Sequence, residues 1–276
     1  MTHTGPLVVR KFAQKSVLAP VRPRASLSEV FHENSKLTRL SGRIQGARIA
    51  SIARSRDVVQ MLLKAYKVYS LGAHLALPDA PPRNQLEEVI RARRSQRKFS
   101  GDPIGREALA RLLFYGYGRT DGKGFFRAVP SGGGLYPLDL YVVALRVDEL
   151  PAGIYHYDVE HHRLDIVQPH DAWAGFKERV VGQGIEVDRA ACAVVLTATF
   201  VRSTFKYQDR GYRMVLMEAG EVAQNIALTA TALGLGTCAL GGFFDDRLSE
   251  LLGIDGVEEA PLLPILVGCP APEEDR

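Results

Sequence analysis

The sequence predicts an α+β fold, buried strands flanked by helices, on the strength of three stretches. Residues 138–145 and 191–200 are apolar and rich in β-forming side chains, the pattern of strands buried in a core. Residues 211–233 carry Val215, Ala219, Val222, Ile226, Ala230 and Leu233 along one helical face, with Gly234 as the stop. Further Ala and Leu residues on the other faces predict burial nearly all round, more than one subunit's core can supply, and so a second subunit packed against this helix.

The other elements follow in chain order. Residues 1–28 hold Arg10, Lys11, Lys15, Arg22 and Arg24 and no acid, and are expected to be a basic flexible arm. Residues 29–83 form an N-terminal helical segment and linker. Within it, Ile49, Ile52, Val59, Leu62, Leu63 and Tyr66 mark one face of a docked helix over 47–69. Pro78, Pro81 and Pro82 then make 71–83 an extended linker. The main domain spans 84–270. Asn84 is the expected N-cap of a helix through Leu86, Val89 and Ile90, and 106–115 is a second helix closed by Gly116. Residues 154–157 and 164–167 read as a hairpin whose turn holds His161 and His162. A short helix over 248–252 and a last strand over 262–267 complete the pattern.

Bulk properties exclude several classes. A chain of 276 residues with 46% hydrophobic and 24% charged residues folds around a sizeable core, so it is neither disordered nor fibrous. A net charge of +4 from scattered basic residues does not call for a nucleic-acid partner. Cys192, Cys238 and Cys269 lie far apart without CxxC spacing, which argues for buried thiols and a cytoplasmic setting rather than a zinc site or disulfides. No apolar stretch approaches the ~20 residues needed to cross a bilayer.

Three constellations carry candidate chemistry. Arg93, Arg94, Ser95 and Arg97, with Lys98, stand where a helix ends, and guanidinium forks with a hydroxyl can surround a phosphate; a solvated basic face is the alternative. Pro130, Ser131, Gly132, Gly133 and Gly134, followed by Leu135, Tyr136 and Pro137, let main-chain amides approach a flat ligand; a tight turn is the alternative. Gly234, Gly236 and Thr237, then Leu240, Gly241, Gly242 and Phe243, could present amides to a cofactor ring, or could simply end the preceding helix as a loop.

Taken together, Arg-Arg-Ser-x-Arg-x-Phe, Pro-Ser-Gly-Gly-Gly-Leu-Tyr-Pro and Gly-Leu-Gly-Thr followed by Gly-Gly-Phe occur in an order that resembles the nitroreductase superfamily. More narrowly, the chain is similar to the SagB/ThcOx branch, the azoline dehydrogenases of thiazole/oxazole-modified peptide biosynthesis. Phe31 to Lys36 resembles that branch's N-terminal signature. The resemblance implies a nitroreductase-like α+β fold, a central mixed or antiparallel sheet flanked by helices, in a domain-entwined homodimer with FMN at its interface. Arg93, Arg94, Ser95 and Arg97 would hold the phosphate and ribityl end. Pro130, Ser131, Gly132 and Gly133 would reach the flavin of the opposite subunit, and Leu240, Gly241 and Gly242 would lie along the isoalloxazine.

Lys206-Tyr207, ahead of Arg210, Gly211, Tyr212, Arg213 and Glu218, resembles the Lys-Tyr motif that azoline-oxidising members use for catalysis. A lysine whose pKa burial lowers, or a tyrosine polarised by it, could take the proton that aromatisation releases. The family often has a small residue after Lys-Tyr and a histidine after Glu-Ala-Gly, where this chain has Gln208 and Glu221; Leu262 or Leu263 replaces a tyrosine near the last strand. The resemblance implies a precursor peptide as substrate and a cyclodehydratase as partner. The other readings are an NAD(P)H-dependent nitro or quinone reductase, a dehydrogenase of another peptide-derived small molecule, and a flavin-containing scaffold subunit.

Two further patterns are set aside. Tyr155, His156, Tyr157, His161 and His162 alternate across a hairpin with no acidic co-ligand expected nearby, so no metal is assigned to them. Residues 117–124 lack the first glycine and the final Ser or Thr of a P-loop, and no GxGxxG follows a strand.

Overall fold

The computed structural model describes residues 26–63, 66–67, 75–180 and 185–272. Its centre is a six-stranded sheet in the order β3-β2-β1-β4-β6-β5, every neighbouring pair antiparallel. The strands are β1 (Leu138–Ala144), β2 (Gly153–Asp158), β3 (Arg163–Gln168), β4 (Cys192–Thr199), β5 (Gly236–Ala239) and β6 (Glu259–Gly268). The expected strands and hairpin are all present, and Cys192 and Cys238 are buried.

β1 and β4 are apolar apart from Asp139, Thr197 and Thr199, because both faces of the sheet are covered. On one face Leu138, Leu140, Val142, Val194 and Leu196 meet helices α5 (Arg106–Tyr117) and α8 (Asp209–Ala232). On the other, Tyr141, Val143, Ala193, Val195 and Leu266 meet Phe99, Phe176 and Leu248, the last two from α6 (Trp173–Lys177) and α9 (Asp245–Leu252). Alternate strand residues serve the two cores, as a period of two demands.

Three local expectations need correction. Gly116 does not close α5, which runs to Tyr117 and ends at Gly118. Instead Gly116 sits where α5 crosses α8 so closely that a Cβ there would lie 2.8 Å from Ile226 Cγ1. The helix expected over 47–69 is two, α2 (Arg39–Arg54) and α3 (Arg56–Leu63), separated at Ser55, and Tyr66 lies beyond both. Ile49 and Ile52, on the face expected to dock, are exposed in the single chain, and α2 meets the main domain instead at Gly42, where a Cβ would stand 3.2 Å from the Phe244 ring. Within the single chain α8 buries one stripe, Val215, Ala219, Val222, Ile226 and Ala230 facing the sheet, and leaves Leu216 and Met217 exposed on the faces expected to meet a second subunit.

The N-terminal end contributes α1 (Leu27–Ser35), begun by a capping box between Ser26 and Glu29. It starts just inside the stretch expected to be a flexible arm, the rest of which, residues 1–25, lies outside the described residues. Residues 75–83 carry no regular structure, and the remainder of the expected linker, residues 71–74, lies outside the described ones. Asn84 caps α4 (Gln85–Ala92) by accepting from Glu87 N. Among the described residues no helix is long and apolar enough to cross a membrane.

Candidate active site

Antiparallel register sets where the glycine-rich loops emerge. Leu138 at the start of β1 pairs with Ala198 at the end of β4, and Thr199 pairs with Glu259 at the start of β6. β5 runs parallel to β4, because each is antiparallel to β6. The segment entering β1, the segment leaving β4 and the segment leaving β5 therefore emerge at the same end of the sheet. These hold Pro130 to Gly134, Lys206-Tyr207 and Leu240 to Gly242 respectively.

Lys206 and Tyr207 close α7 (Val201–Tyr207), whose first turn is tied to the sheet by Arg202 Nη1 donating to Asp139 Oδ2 at 2.7 Å. The Lys206 Nζ lies 5.0 Å from the centre of the Tyr207 ring. Both side chains close over Gly133, where a Cβ would stand 2.5 Å from Tyr207 Oη and 3.0 Å from Lys206 Nζ. Gly133 also has φ +70, so glycine is required there for conformation and for space. Lys206 is exposed, so this chain does not supply the burial expected around its ammonium.

The Pro-Ser-Gly-Gly-Gly loop hangs from Glu218. Ser131 Oγ donates to Glu218 Oε2 at 2.6 Å, and Tyr117 Oη donates to Oε1 at 2.8 Å. Each hydroxyl oxygen in turn accepts a backbone N–H, from Tyr136 at 2.9 Å and from Leu138 at 3.2 Å. Burial pushes the Glu218 carboxyl above the ordinary range, while the two hydroxyl bonds and the Arg127 guanidinium pull it back. Arg127 stacks over the rings of Tyr117 and Tyr136, at 4.4 and 4.6 Å from their centres.

The Arg-rich segment joins the third glycine motif. Ser95 forms a parallel bridge with Thr237, and Gln96 N donates to Thr237 O at 2.7 Å. This corrects the reading of 234–237 as part of a helix-ending loop, since Gly236–Ala239 is an edge strand that the Arg93–Arg97 segment extends. Arg93 is half-buried, Ser95 and Arg97 are exposed, and among the described residues neither arginine pairs with a carboxylate. Arg94 is also exposed but turns its guanidinium back onto the carbonyls of Arg91 and Arg93, capping α4. Leu240 is buried and donates its N–H to Pro264 O at 2.8 Å, whereas Gly241 is exposed with no atom within 4 Å of where a Cβ would point. The candidate residues thus gather as two groups, Pro130 to Gly133 with Lys206 and Tyr207, and Arg93 to Arg97 with Leu240 to Gly242.

In the sequence Tyr117 and Arg127 belong to none of the three constellations, and Glu218 stands out only in the stretch that follows Lys206-Tyr207. A carboxylate on the apolar face of α8, between Val215 and Val222, was the available signal. The hairpin histidines need a correction too: acids are near, with His161 Nδ1 2.7 Å from Asp158 and His156 Nε2 3.4 Å from Asp139. Among the described residues no group of three or more potential ligands is placed to hold a metal ion.

Gln208, which follows Lys206-Tyr207, has φ 50 and ψ −140, a combination that only glycine adopts without strain. A glycine at this position would therefore have a backbone reason. Gln208→Gly is expected to raise stability by about 1 kcal/mol, the relieved strain less the extra freedom of an unfolded glycine. A higher urea midpoint at unchanged slope would register it.

The Nitroreductase family matches residues 90–269. The chain belongs to that family, whose members are oxidoreductases that generally bind a flavin. It lies on the SagB-type branch, as its peptide-processing relatives indicate. It is 30% identical to the Microcin B17-processing protein McbC of Escherichia coli over 56% of this chain and 58% of that one. It is 33% identical to the Trifolitoxin-processing protein TfxB of Rhizobium leguminosarum bv. trifolii over 56% of this chain and 45% of the relative. The chain thus spans about half the length of those two relatives. A protein of Methanocaldococcus jannaschii named as a nitroreductase is 40% identical over 67% of this chain and 90% of its own length. Among solved structures, the E. coli Microcin synthetase McbBCD complex holds a chain of the same fold, with TM-score 0.66 and 22% identity, covering 91% of this chain and 99% of that one. A nitroreductase structure from Anabaena variabilis gives TM-score 0.59 at 28% identity over 67% of this chain and 38% of its own.

Proposed function

We propose that the chain is an FMN-dependent dehydrogenase that oxidises thiazoline or oxazoline rings to thiazoles or oxazoles in a ribosomally made peptide. The observation that carries this reading is the convergence of Lys206 Nζ and Tyr207 Oη on Gly133, inside the family's glycine-rich loop.

The residues present suit the cofactor. Arg93 and Arg97 offer guanidinium groups without carboxylate partners among the described residues, which suits a phosphate. Gly241 presents open backbone, which suits a flat ring system. Ser131, held by Glu218, fixes the loop that would border the ring. Exposed Leu216 and Met217 on α8 are apolar surface for a second copy, which would bring the two groups of site residues together.

Aromatising an azoline removes one proton and one hydride; a flavin held by these residues would supply the two-electron acceptor, with dioxygen as the final oxidant. The proton from the ring carbon passes to the Lys206-Tyr207 pair. Gly133, without a Cβ, lets that pair sit against the loop, and Glu218 keeps the loop in place through Ser131. Because the ring must be installed before it is oxidised, a cyclodehydratase acts upstream and is the expected partner; the names of the peptide-processing relatives support a peptide substrate.

Purified protein with FMN, given an azoline-bearing peptide under air, is expected to remove one hydrogen molecule per ring, read by mass spectrometry. A peptide mass that never changes would sink the reading. A second reading, an NAD(P)H-dependent nitro or quinone reductase, is favoured by the Methanocaldococcus jannaschii relative. Rapid bleaching of the flavin by NAD(P)H alone would support it.

A further inference from the structure

Lys206 and Tyr207 sit on the last turn of a seven-residue helix, immediately before the strained Gln208 and the start of α8. So short a helix does not hold its own geometry, and the α7–α8 junction depends on what is packed around it. Three contacts secure it, and each draws on a residue distant in sequence or on the neighbouring helix.

The first comes from α1. Ser28 donates both its N–H, at 3.1 Å, and its hydroxyl, at 2.8 Å, to Asp209 Oδ1, the side chain directly after Gln208. The second is His32, which is buried and places Nδ1 3.2 Å from Tyr212 Oη. Its ring meets Phe200 edge-on at 5.0 Å, and Phe200 stacks on Tyr212 at 5.2 Å with 23° between planes. Phe200 precedes α7 and Tyr212 lies in the first turns of α8, so His32 grips both ends of the α7 segment. The third is Gly211, where a Cβ would stand 2.8 Å from Ser203 O, so the two helices cross in backbone contact. The far end of α1 is itself pinned by the half-buried Lys36, which bonds Glu33, Asp246 and Gly256 O.

We infer that His32 is a positioning residue: through Tyr212 and Phe200, and with Ser28 on Asp209, it holds the α7–α8 junction in the one arrangement that presents Lys206 and Tyr207 to Gly133. This rests on the proposed catalytic role of that pair for its consequence in turnover, though not for the clamp itself. The N-terminal signature residues then serve the site from outside it.

Two measurements on the full-length protein separate the claims. In flavin-free protein, His32→Phe keeps a ring against Phe200 and loses the bond to Tyr212. Amide hydrogen exchange across residues 204–211 is expected to quicken at least tenfold while β1 and β4 are unchanged, and Tyr212→Phe is expected to do the same. Unchanged exchange in that segment overturns the clamp whatever the substrate proves to be. In the FMN-loaded enzyme acting on an azoline peptide, His32→Phe is expected to lower kcat at least tenfold with KM little altered. In a Lys206→Ala, Tyr207→Phe background the same substitution is expected to cost nothing further, because its effect runs through those two side chains. Equal losses in both backgrounds, or a loosened junction with undiminished kcat, would show that His32 does not position the pair.

Discussion

Lys206→Ala is expected to lower kcat for azoline oxidation by about 10²–10⁴-fold, the range lost when a positioned proton acceptor is removed. The melting temperature and the bound FMN should stay as they are. The separation of effects follows from where the side chain stands. Lys206 is exposed at the end of α7, buries no core surface, and makes its closest approaches to the Tyr207 ring and to Gly133. Removing it leaves no cavity and no orphaned partner in the core, so stability has little to lose. Tyr207→Phe, which keeps the ring and removes only Oη, should give a smaller loss than Lys206→Ala if the lysine is the group that takes the proton. If both substitutions leave ring oxidation untouched, the chain serves as a flavin-containing scaffold instead, and its chemistry lies elsewhere.

Glu218→Ala is expected to destabilise the fold by about 3 kcal/mol, from the loss of two hydroxyl bonds to a charged acceptor. Tyr117 and Ser131 have no easy way to adapt, because their oxygens already accept from Leu138 N and Tyr136 N and their protons are left without an acceptor. Glu218→Gln should fall between, since an amide offers one acceptor where the carboxylate offers two. The pH dependence has a definite sign. Burial holds the Glu218 carboxyl above its ordinary value in the folded state, so folding favours the protonated form. Its contribution is therefore fully present below the ordinary carboxyl range and is lost as pH rises through the raised value. Glu259 and Asp245 are raised for the same reason and share that slope. The part due to Glu218 is the difference between wild type and Glu218→Gln in urea midpoints measured across that window. Parallel profiles would contradict the assignment.

Much of the fold is legible in the sequence because β1, β4 and α8 signal burial in their own residues. What escapes is set by contacts with distant partners. Gly116 carries the usual mark of a helix end, yet it lies inside α5, where Ile226, far away in sequence, leaves no room for any larger residue. The strand Gly236–Ala239 is four residues long and glycine-led, so its strand character comes from β6 on one side and Ser95 on the other. The apolar pattern of α8 predicts complete burial, and the single chain buries only the stripe facing the sheet.

The candidate site divides in the same way. Its short motifs can be read directly, because glycine runs and arginine clusters declare their chemistry in a few adjacent residues. Their mutual placement cannot. Glu218 meets Ser131 across 87 positions and Tyr117 across 101, and no local pattern encodes either pairing. The turn of Arg94 onto its own helix end is likewise decided by the carbonyls that α4 leaves free. Gln208 stands between the two cases: the departure from a small residue is visible in the sequence, and its backbone cost only in the structure.

Calorimetric titration of FMN into flavin-stripped protein tests most directly whether these separated stretches build one cofactor pocket. Saturable binding is expected, yielding a yellow protein, with affinity that weakens when Arg97 or Ser131 is replaced by alanine. A preparation that stays colourless and gives no heat of binding would contradict the account at its root.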